Sequence, residues 1–98
     1  MKIAVAAEGP EALAQVSSMG GRAPYYLIAE DGKIVEIVKN PFSHGSGGAG
    51  FSVAYMLAEK GVELVIAGKI GDKMVQALES RNVGYREAGG QSVSEVLS

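Results

Sequence analysis

An Asp-Gly pair, Asp31-Gly32, separates two runs that are rich in β-branched and aromatic residues, 25–29 and 33–39. An Asp-Gly pair between two such runs is a strong short-range signal for a β-hairpin, because both residues tolerate the positive φ of a tight turn. The two runs are therefore predicted to be antiparallel neighbours in a sheet. Asn40-Pro41 ends the second run, since proline cannot donate a hydrogen bond to a neighbouring strand.

The rest of the chain alternates between short apolar runs, which are typical of buried strands, and helical periodicities. The predicted elements are a strand at 3–7, a helix at 50–60, a strand at 63–67, a helix at 71–81, a strand at 83–87 and a short helix after Ser92. Gly61 and Asn82 are expected to end the two longer helices in the left-handed conformation. Ser92 and Glu95 have the spacing of a capping box.

This order of elements favours one topology. A strand–helix–strand crossover is right-handed and joins parallel strands, and the apolar run 3–7 belongs in the centre of the sheet beside 63–67. We therefore predict an α/β fold with a mixed five-stranded sheet of order 3-2-1-4-5, in which strand 2 is antiparallel and helices cover both faces. A chain of 98 residues is expected to form a single domain, 1–98.

Several glycine-rich loops should meet at one edge of this sheet. Ligands of open α/β sheets bind beyond the carboxyl ends of the parallel strands, and strand 2 runs backwards, so that its start lies at the same edge. The loops expected to meet there are 8–24, 40–50, 68–72 and 88–92. Loops at such an edge carry function more often than the elements that they join.

Composition excludes several classes of function. The net charge of −2 and the absence of a basic run argue against a nucleic-acid partner. The absence of cysteine excludes disulfides, thiolate-held zinc and a cysteine-ligated iron–sulfur cluster. No apolar stretch approaches the ~20 residues of a membrane span, and the N-terminal run is too short for a signal peptide. The sequence predicts a cytoplasmic protein without a membrane partner.

Candidate binding residues lie in the glycine-rich loops. His44 is the single histidine and could ligate a metal, although a structural metal site uses about four protein donors. Arg22 could pair with an anion through its bidentate fork, or it could anchor a loop. Gly47, Gly48 and Gly50 precede a helix whose N-terminal amides could bind an anion, or they could simply loosen the loop.

Four further residues leave two interpretations open. Lys69 could add positive charge at the same edge or could be an ordinary surface lysine. Gly20-Gly21 and Gly68 could form tight turns with positive φ. No Walker loop is present and no acidic cluster suits two-metal chemistry, so we predict that the protein is not an enzyme. Hydrolysis of a phosphorylated small molecule is the weaker catalytic alternative.

Several segments together resemble the dinitrogenase iron–molybdenum cofactor biosynthesis family, and they are spread over essentially the whole chain. They are Gly21-Arg22-Ala23-Pro24-Tyr25-Tyr26, Asp31-Gly32-Lys33-Ile34-Val35-Glu36, Asn40-Pro41, Gly47-Gly48-Ala49-Gly50, Leu57-Ala58-Glu59-Lys60-Gly61-Val62, Val65-Ile66-Ala67-Gly68-Lys69-Ile70-Gly71 and Gly89-Gly90. Each segment alone is unspecific, but their order and spacing are specific. The resemblance implies a ribonuclease H-like fold and a non-catalytic role in carrying the iron–molybdenum cofactor, or its iron–sulfur precursors, to nitrogenase.

The resemblance also implies a set of cofactor-binding residues. The family often has a His-Phe pair directly before Gly-Arg-Ala, where this chain has Met19-Gly20. Met19 offers a thioether, which is a poorer ligand than imidazole for most iron sites, and His44 could replace the missing histidine from the neighbouring loop. The predicted cofactor-binding set is Met19, Arg22, His44, Gly47, Gly48, Gly50 and Gly68, with His44 as the metal ligand.

Two functional hypotheses follow. In the first, the loop edge carries an iron–molybdenum or iron–sulfur cluster, with His44 as a ligand and Arg22 neutralising its charge. In the second, the protein is a metal-free interaction module, and the same loops contact a cofactor-assembly or ATPase partner. The replacement of His-Phe by Met19-Gly20 favours the second hypothesis.

Overall fold

The structure, a computed structural model, describes residues 1–44 and 48–98. Its elements are β1 (Lys2–Ala7), β2 (Tyr25–Glu30), β3 (Lys33–Lys39), α1 (Ala49–Glu59), β4 (Leu64–Ala67), α2 (Asp72–Ser80), β5 (Gly84–Glu87) and α3 (Val93–Leu97). The predicted type and order of every element are confirmed. None of the helices in these two ranges is long and apolar enough to cross a membrane.

The sheet has the predicted strand order, β3-β2-β1-β4-β5. β2 is antiparallel to both β1 and β3, whereas β4 is parallel to both β1 and β5. The hairpin between β2 and β3 turns at Asp31 and Gly32, with φ of 54° and 81°. Two successive positive φ angles are what a two-residue type I′ turn requires, which is why Asp-Gly predicted this hairpin.

Both faces of the sheet are buried, because successive residues of a strand point to opposite faces. α1 and α2 pack on the face that presents Ala4, Ala6 and Tyr26. α3 packs on the other face, where Val93 contacts the cluster of Val5, Ala7, Leu27 and Ile66. Coverage of both faces is therefore confirmed, while the ribonuclease H-like label stays a prediction.

The helix ends follow the predicted local chemistry. Gly61 and Asn82 have φ of 81° and 59° directly after the two longer helices. The Ser92 hydroxyl accepts from the backbone N–H of Glu95 at 3.2 Å, and the Glu95 carboxylate accepts from the backbone N–H of Ser92 at 2.8 Å. This capping box fixes the start of α3.

The topology gives the sheet two distinct edges. β1, β4 and β5 end at one edge, and both α1 and α2 begin there. We call this edge the cleft edge. The opposite edge carries the Asp31-Gly32 turn and the C-terminal ends of α1 and α2.

Candidate functional site

A cleft of about 320 Å³ opens at the cleft edge. Its walls come from the loop before β2, the start of α1 and the segment that joins β4 to α2. The lining residues are Met19, Gly20, Gly21, Arg22, Ala49, Gly50, Lys69, Gly71, Asp72, Lys73 and Met74. Three of the four loops expected at this edge therefore contribute to one cleft. The fourth, 88–92, lies beside them without lining the cleft, and its Gln91 carbonyl accepts from the N–H of Val16 at 2.8 Å.

Backbone hydrogen bonds hold the loop before β2 against the end of the sheet. The Ser17 N–H donates to the Ala6 carbonyl of β1 at 2.8 Å, and the Ser17 carbonyl accepts from Gly68 N–H at the same distance. The Gly20 N–H donates to the Lys69 carbonyl at 2.9 Å. The loop and the β4–α2 connection are thus joined at two points, which fixes the distance between two walls of the cleft.

Buried Tyr26 supports the same loop from below. Its side chain is fully buried in β2, and its hydroxyl donates to the Gly20 carbonyl. Burial raises the pKa of Tyr26 well above its usual value of 10.0, because the phenolate would lose its hydration. The hydroxyl therefore stays protonated and remains a donor to the floor of the cleft.

Asn40 joins the loop before β2 to the segment after β3. Its side chain is 3% exposed, and its Nδ2 donates to the carbonyls of Gly21 at 3.2 Å and Ala23 at 2.9 Å. Its Oδ1 accepts from the N–H of Phe42 at 2.9 Å. The side-chain amide of Asn40 thus uses its donor and its acceptor to hold the two segments together.

Close backbone contacts explain several of the glycines. A Cβ on Gly68 would lie 2.8 Å from Ser18 Cα, and a Cβ on Gly21 would lie 2.9 Å from Gly50 N. The absence of a side chain on Gly50 leaves room for Met74, because a Cβ added to Gly50 would lie 2.9 Å from the Met74 Cβ. Gly20, Gly21 and Gly68 do not have positive φ. The tight-turn interpretation is therefore wrong for these glycines, and their role is to let segments approach closely.

The cleft is positively charged, although the chain carries a net charge of −2. Arg22, Lys69 and Lys73 line it against the single carboxylate of Asp72. None of the three cations forms a salt bridge within residues 1–44 and 48–98. Arg22 does contact the protein, because its Nη1 donates to the Phe42 carbonyl at 3.5 Å, as a loop anchor would. The charges of all three side chains are not neutralised by a described carboxylate and can act on a negatively charged ligand.

Both long helices point their N-termini at this cleft. α1 begins after Gly48, which has φ of 77°, and no side chain of the described residues caps it. Its first turn contains no acidic residue, whereas the first turn of α2 contains Asp72. The first amides of a helix lack partners within the helix and carry partial positive charge. Two helix ends thus add to the charge of the cationic side chains.

The sequence-predicted site residues fall into three groups. Met19, Arg22 and Gly50 line the cleft. Gly68 lies under the loop before β2, Gly48 is the exposed residue before α1, and His44 is exposed without lining the cleft. The prediction for Gly47 lies outside the described residues. The assignment of His44 as a ligand stays a prediction.

Sequence reasoning missed Lys73 and the buried supports of the site. Lys73 is absent from the predicted site residues, although its place in the first turn of α2 could have indicated the cleft. Asn40 was interpreted only as the end of a strand, and Tyr26 as part of a strand. Nothing in the sequence pattern distinguishes a buried supporting side chain from an ordinary one, because its partners are distant carbonyls.

The donors suit an anion better than a bare metal ion. No group of three His, Cys, Asp or Glu side chains that could hold a metal occurs in the part of the chain that the structure describes. An anion needs positive charge and hydrogen-bond donors from the protein, and the residues of the cleft offer both.

The sequence profile of the dinitrogenase iron-molybdenum cofactor family matches residues 1–98. The chain belongs to this family. Membership places it among small proteins that are related to the nitrogenase cofactor, and it confirms the resemblance seen in the sequence. No curated protein matches the chain significantly.

Two of the solved structures that share this fold can be compared with the chain by identity and coverage. The apo form of the orange protein from Desulfovibrio gigas is 30% identical with a TM-score of 0.91, and the match covers 98% of this chain and 82% of that chain. The NMR structure of a candidate NifB protein from Thermotoga is 29% identical with a TM-score of 0.81, over 98% of this chain and 83% of that chain. Both likenesses support a mixed sheet of the observed order.

Proposed function

We propose that this protein is a cytoplasmic, non-catalytic carrier that holds an iron–molybdenum or iron–sulfur cofactor, or a precursor of one, in the cleft. The observation that carries the proposal is the convergence of two helix N-termini and three cationic side chains, which form no salt bridge with a described residue, on one space of about 320 Å³. Membership in the dinitrogenase iron-molybdenum cofactor family supports the same cargo.

The proposed roles follow from the chemistry of each group. Arg22 would neutralise the cargo and donate to it through its planar fork, while Lys69 and Lys73 would add point charges. The first-turn amides near Gly50 would donate hydrogen bonds. Met19, with 53% of its surface exposed, offers a thioether at the rim, and His44 would approach from the neighbouring loop.

A rigid binding site suits a carrier. The supports of the cleft are backbone hydrogen bonds and the buried side chains of Tyr26 and Asn40, so that little ordering is needed when the cargo binds. No side chain of the proposal performs a bond-making step. The protein would bind, protect and release the cargo unchanged.

The alternative is a metal-free module that binds a cofactor-assembly or ATPase partner through the same loops. The exposed apolar side chain of Met19 at the rim favours it, because exposed methionine suits adaptable protein contacts. In this alternative the cations would meet acidic groups of the partner protein. The two functions make opposite predictions for binding of the isolated cofactor.

The deciding experiment is an anaerobic titration with isolated iron–molybdenum cofactor and with its iron–sulfur precursor, followed by absorbance and electron paramagnetic resonance. Wild type should bind at least one of them. Arg22→Gln and Lys73→Gln should each weaken binding by about tenfold, which corresponds to about 1.4 kcal/mol. Lys33→Gln, at the opposite edge, is the matched control and should bind as wild type does.

His44→Ala tests the predicted ligand separately. A loss of about tenfold or more would assign His44 as a ligand of the cargo, and unchanged binding would limit the site to the cleft itself. Failure of wild type to bind either cargo would contradict the carrier and favour the interaction module.

A further inference from the structure

Four glycines line the cleft, and the packing of the protein explains three of them. A Cβ on Gly20 would lie 3.1 Å from the sulfur of Met74. A Cβ on Gly21 would lie 2.9 Å from the backbone nitrogen of Gly50, and a Cβ on Gly50 would lie 2.9 Å from the Met74 Cβ. Glycine at these three positions therefore serves contacts within the chain itself.

Gly71 is the fourth of these glycines, and neither its conformation nor its surroundings require it. Its φ of −70° and ψ of 162° are open to any residue, and a Cβ there would have nothing within 4 Å. The backbone is held just before it, because the Ile70 N–H donates to the Glu87 carboxylate at 2.9 Å and the Lys69 carbonyl accepts from the Gly20 N–H at 2.9 Å. The fold thus gives no reason for glycine at this position.

Helix capping gives no such reason either, although Gly71 is the N-cap of α2. Serine serves as well or better at an N-cap, because its hydroxyl accepts from a first-turn amide. Ser92 does this at the start of α3 and does not line the cleft. α2 has no side-chain cap, and the N–H groups of Asp72, Lys73 and Met74 have no acceptor among the described residues. Three donors at the wall of the cleft are thus left to an outside acceptor.

We propose that Gly71 is a contact residue of the cargo. Its missing side chain leaves the space through which an anionic cargo reaches the first-turn amides of α2. The inference rests on the proposed function, because it concerns the same cleft. It adds that residue 71 sets how closely the cargo approaches the end of the helix, and that glycine is kept there for binding and not for folding.

Gly71→Ser tests this inference, because it should change stability and binding in opposite directions. The serine hydroxyl can cap α2, so the midpoint of urea unfolding should equal or exceed that of wild type. In the anaerobic titration with isolated iron–molybdenum cofactor, its dissociation constant should rise by about tenfold or more. Gly71→Ala adds the Cβ without the capping hydroxyl and should weaken binding as well, because the space alone is then filled.

Gly89→Ser is the matched control at the same edge of the sheet. Gly89 is exposed, does not have a positive φ and does not line the cleft. A Cβ there would make only an ordinary contact, 3.8 Å from Gly68 Cα. Gly89→Ser should therefore bind the cofactor as wild type does.

The outcomes separate this inference from the proposed function. Weaker binding by a fully stable Gly71→Ser protein would support both. If wild type binds the cofactor and either Gly71 variant binds it equally tightly, the inference is overturned and the carrier stands. A Gly71→Ser protein that loses stability together with binding would also overturn it, because the fold would then require the glycine. If wild type binds neither the cofactor nor its iron–sulfur precursor, the carrier function fails and the inference fails with it.

Discussion

Glycines at the cleft edge and at the opposite edge of the sheet meet different physical requirements. At the cleft edge, a Cβ on Gly68 or Gly21 would lie within 2.9 Å of neighbouring backbone atoms. At the opposite edge, Gly32 and Gly61 have nothing within 4 Å, and both have φ of 81°. The first pair allows segments to touch, whereas the second pair reverses the chain.

The polar residues of the two edges differ in the same way. Asn40 at the cleft edge is buried, and two of its three side-chain hydrogen bonds go to the loop before β2. Asn82 at the opposite edge is exposed and supplies a left-handed conformation, with φ of 59°. One edge is therefore built from long-range contacts and the other from local turns. A binding site needs the first kind, because its walls come from distant parts of the chain.

The largest expected effect on stability comes from adding a Cβ where two backbone segments are in close contact. Gly68→Ala should lower the free energy of unfolding by about 3 kcal/mol, because the new Cβ meets the backbone of Ser17 and Ser18. Gly61→Ala should cost only about 1 kcal/mol, since it strains a single φ angle. Urea denaturation measures both.

Asparagine at the same two positions sharpens this comparison. Asparagine tolerates the left-handed conformation, so Gly61→Asn should recover part of the loss caused by Gly61→Ala. Gly68→Asn should be at least as damaging as Gly68→Ala, because the clash is steric. Equal behaviour of the two edges in this pair of substitutions would contradict the distinction.

An intermediate effect is expected at Asn40. Asn40→Ala should cost about 2 kcal/mol, because it leaves a buried carbonyl of Ala23 without its donor. Asn82→Gly is the matched change at the opposite edge and should be nearly neutral, since glycine adopts the same φ. Thermal unfolding of both variants provides the measurement, and a neutral Asn40→Ala would show that this junction does not hold the loops.

The smallest of the three effects is expected at Tyr26. Tyr26→Phe should cost about 1 kcal/mol near neutral pH, because Gly20 loses its donor. Tyr85→Phe, with its exposed hydroxyl at the far strand, should cost much less.

The Tyr26 effect should also depend on pH with a defined sign. Burial raises the pKa of Tyr26 in the folded protein, so above about pH 10 only the unfolded chain ionises at this position. The stability of wild type should then fall with rising pH, and Tyr26→Phe should lack this contribution. The difference between the two proteins in urea unfolding should therefore shrink above that pH. A difference that stays constant up to pH 11 would contradict the buried, neutral hydroxyl.

The turns at the opposite edge were predictable from sequence, whereas the contacts at the cleft edge were predictable only in outline. Asp31-Gly32, Gly61 and Asn82 act through their own φ angles, so their residue types indicated their structure. The strand order also followed, because the handedness of crossovers leaves few alternatives. The meeting of the loops was predicted by that order alone.

The details of the cleft depended on contacts that residue patterns do not encode. The sequence suggests a turn at Gly68. The structure instead requires glycine there because Ser18, fifty positions away, leaves no room for a Cβ. Lys73 belongs to no motif that separates it from an ordinary surface lysine, and only its place in the first turn of α2 relates it to the cleft. His44 was predicted as the metal ligand because it is the single histidine, but it is exposed and does not line the cleft.

The most direct test of the central claim is to locate bound cargo by NMR. In isotope-labelled protein, isolated iron–molybdenum cofactor would broaden the amide signals near it through its unpaired electrons. We predict broadening at residues 19–22, 48–51 and 69–73, with the amides at 31–33, 60–62 and 82–84 unaffected. Broadening centred on the opposite edge, or none at cofactor concentrations that exceed the protein, would contradict a cofactor site in the cleft.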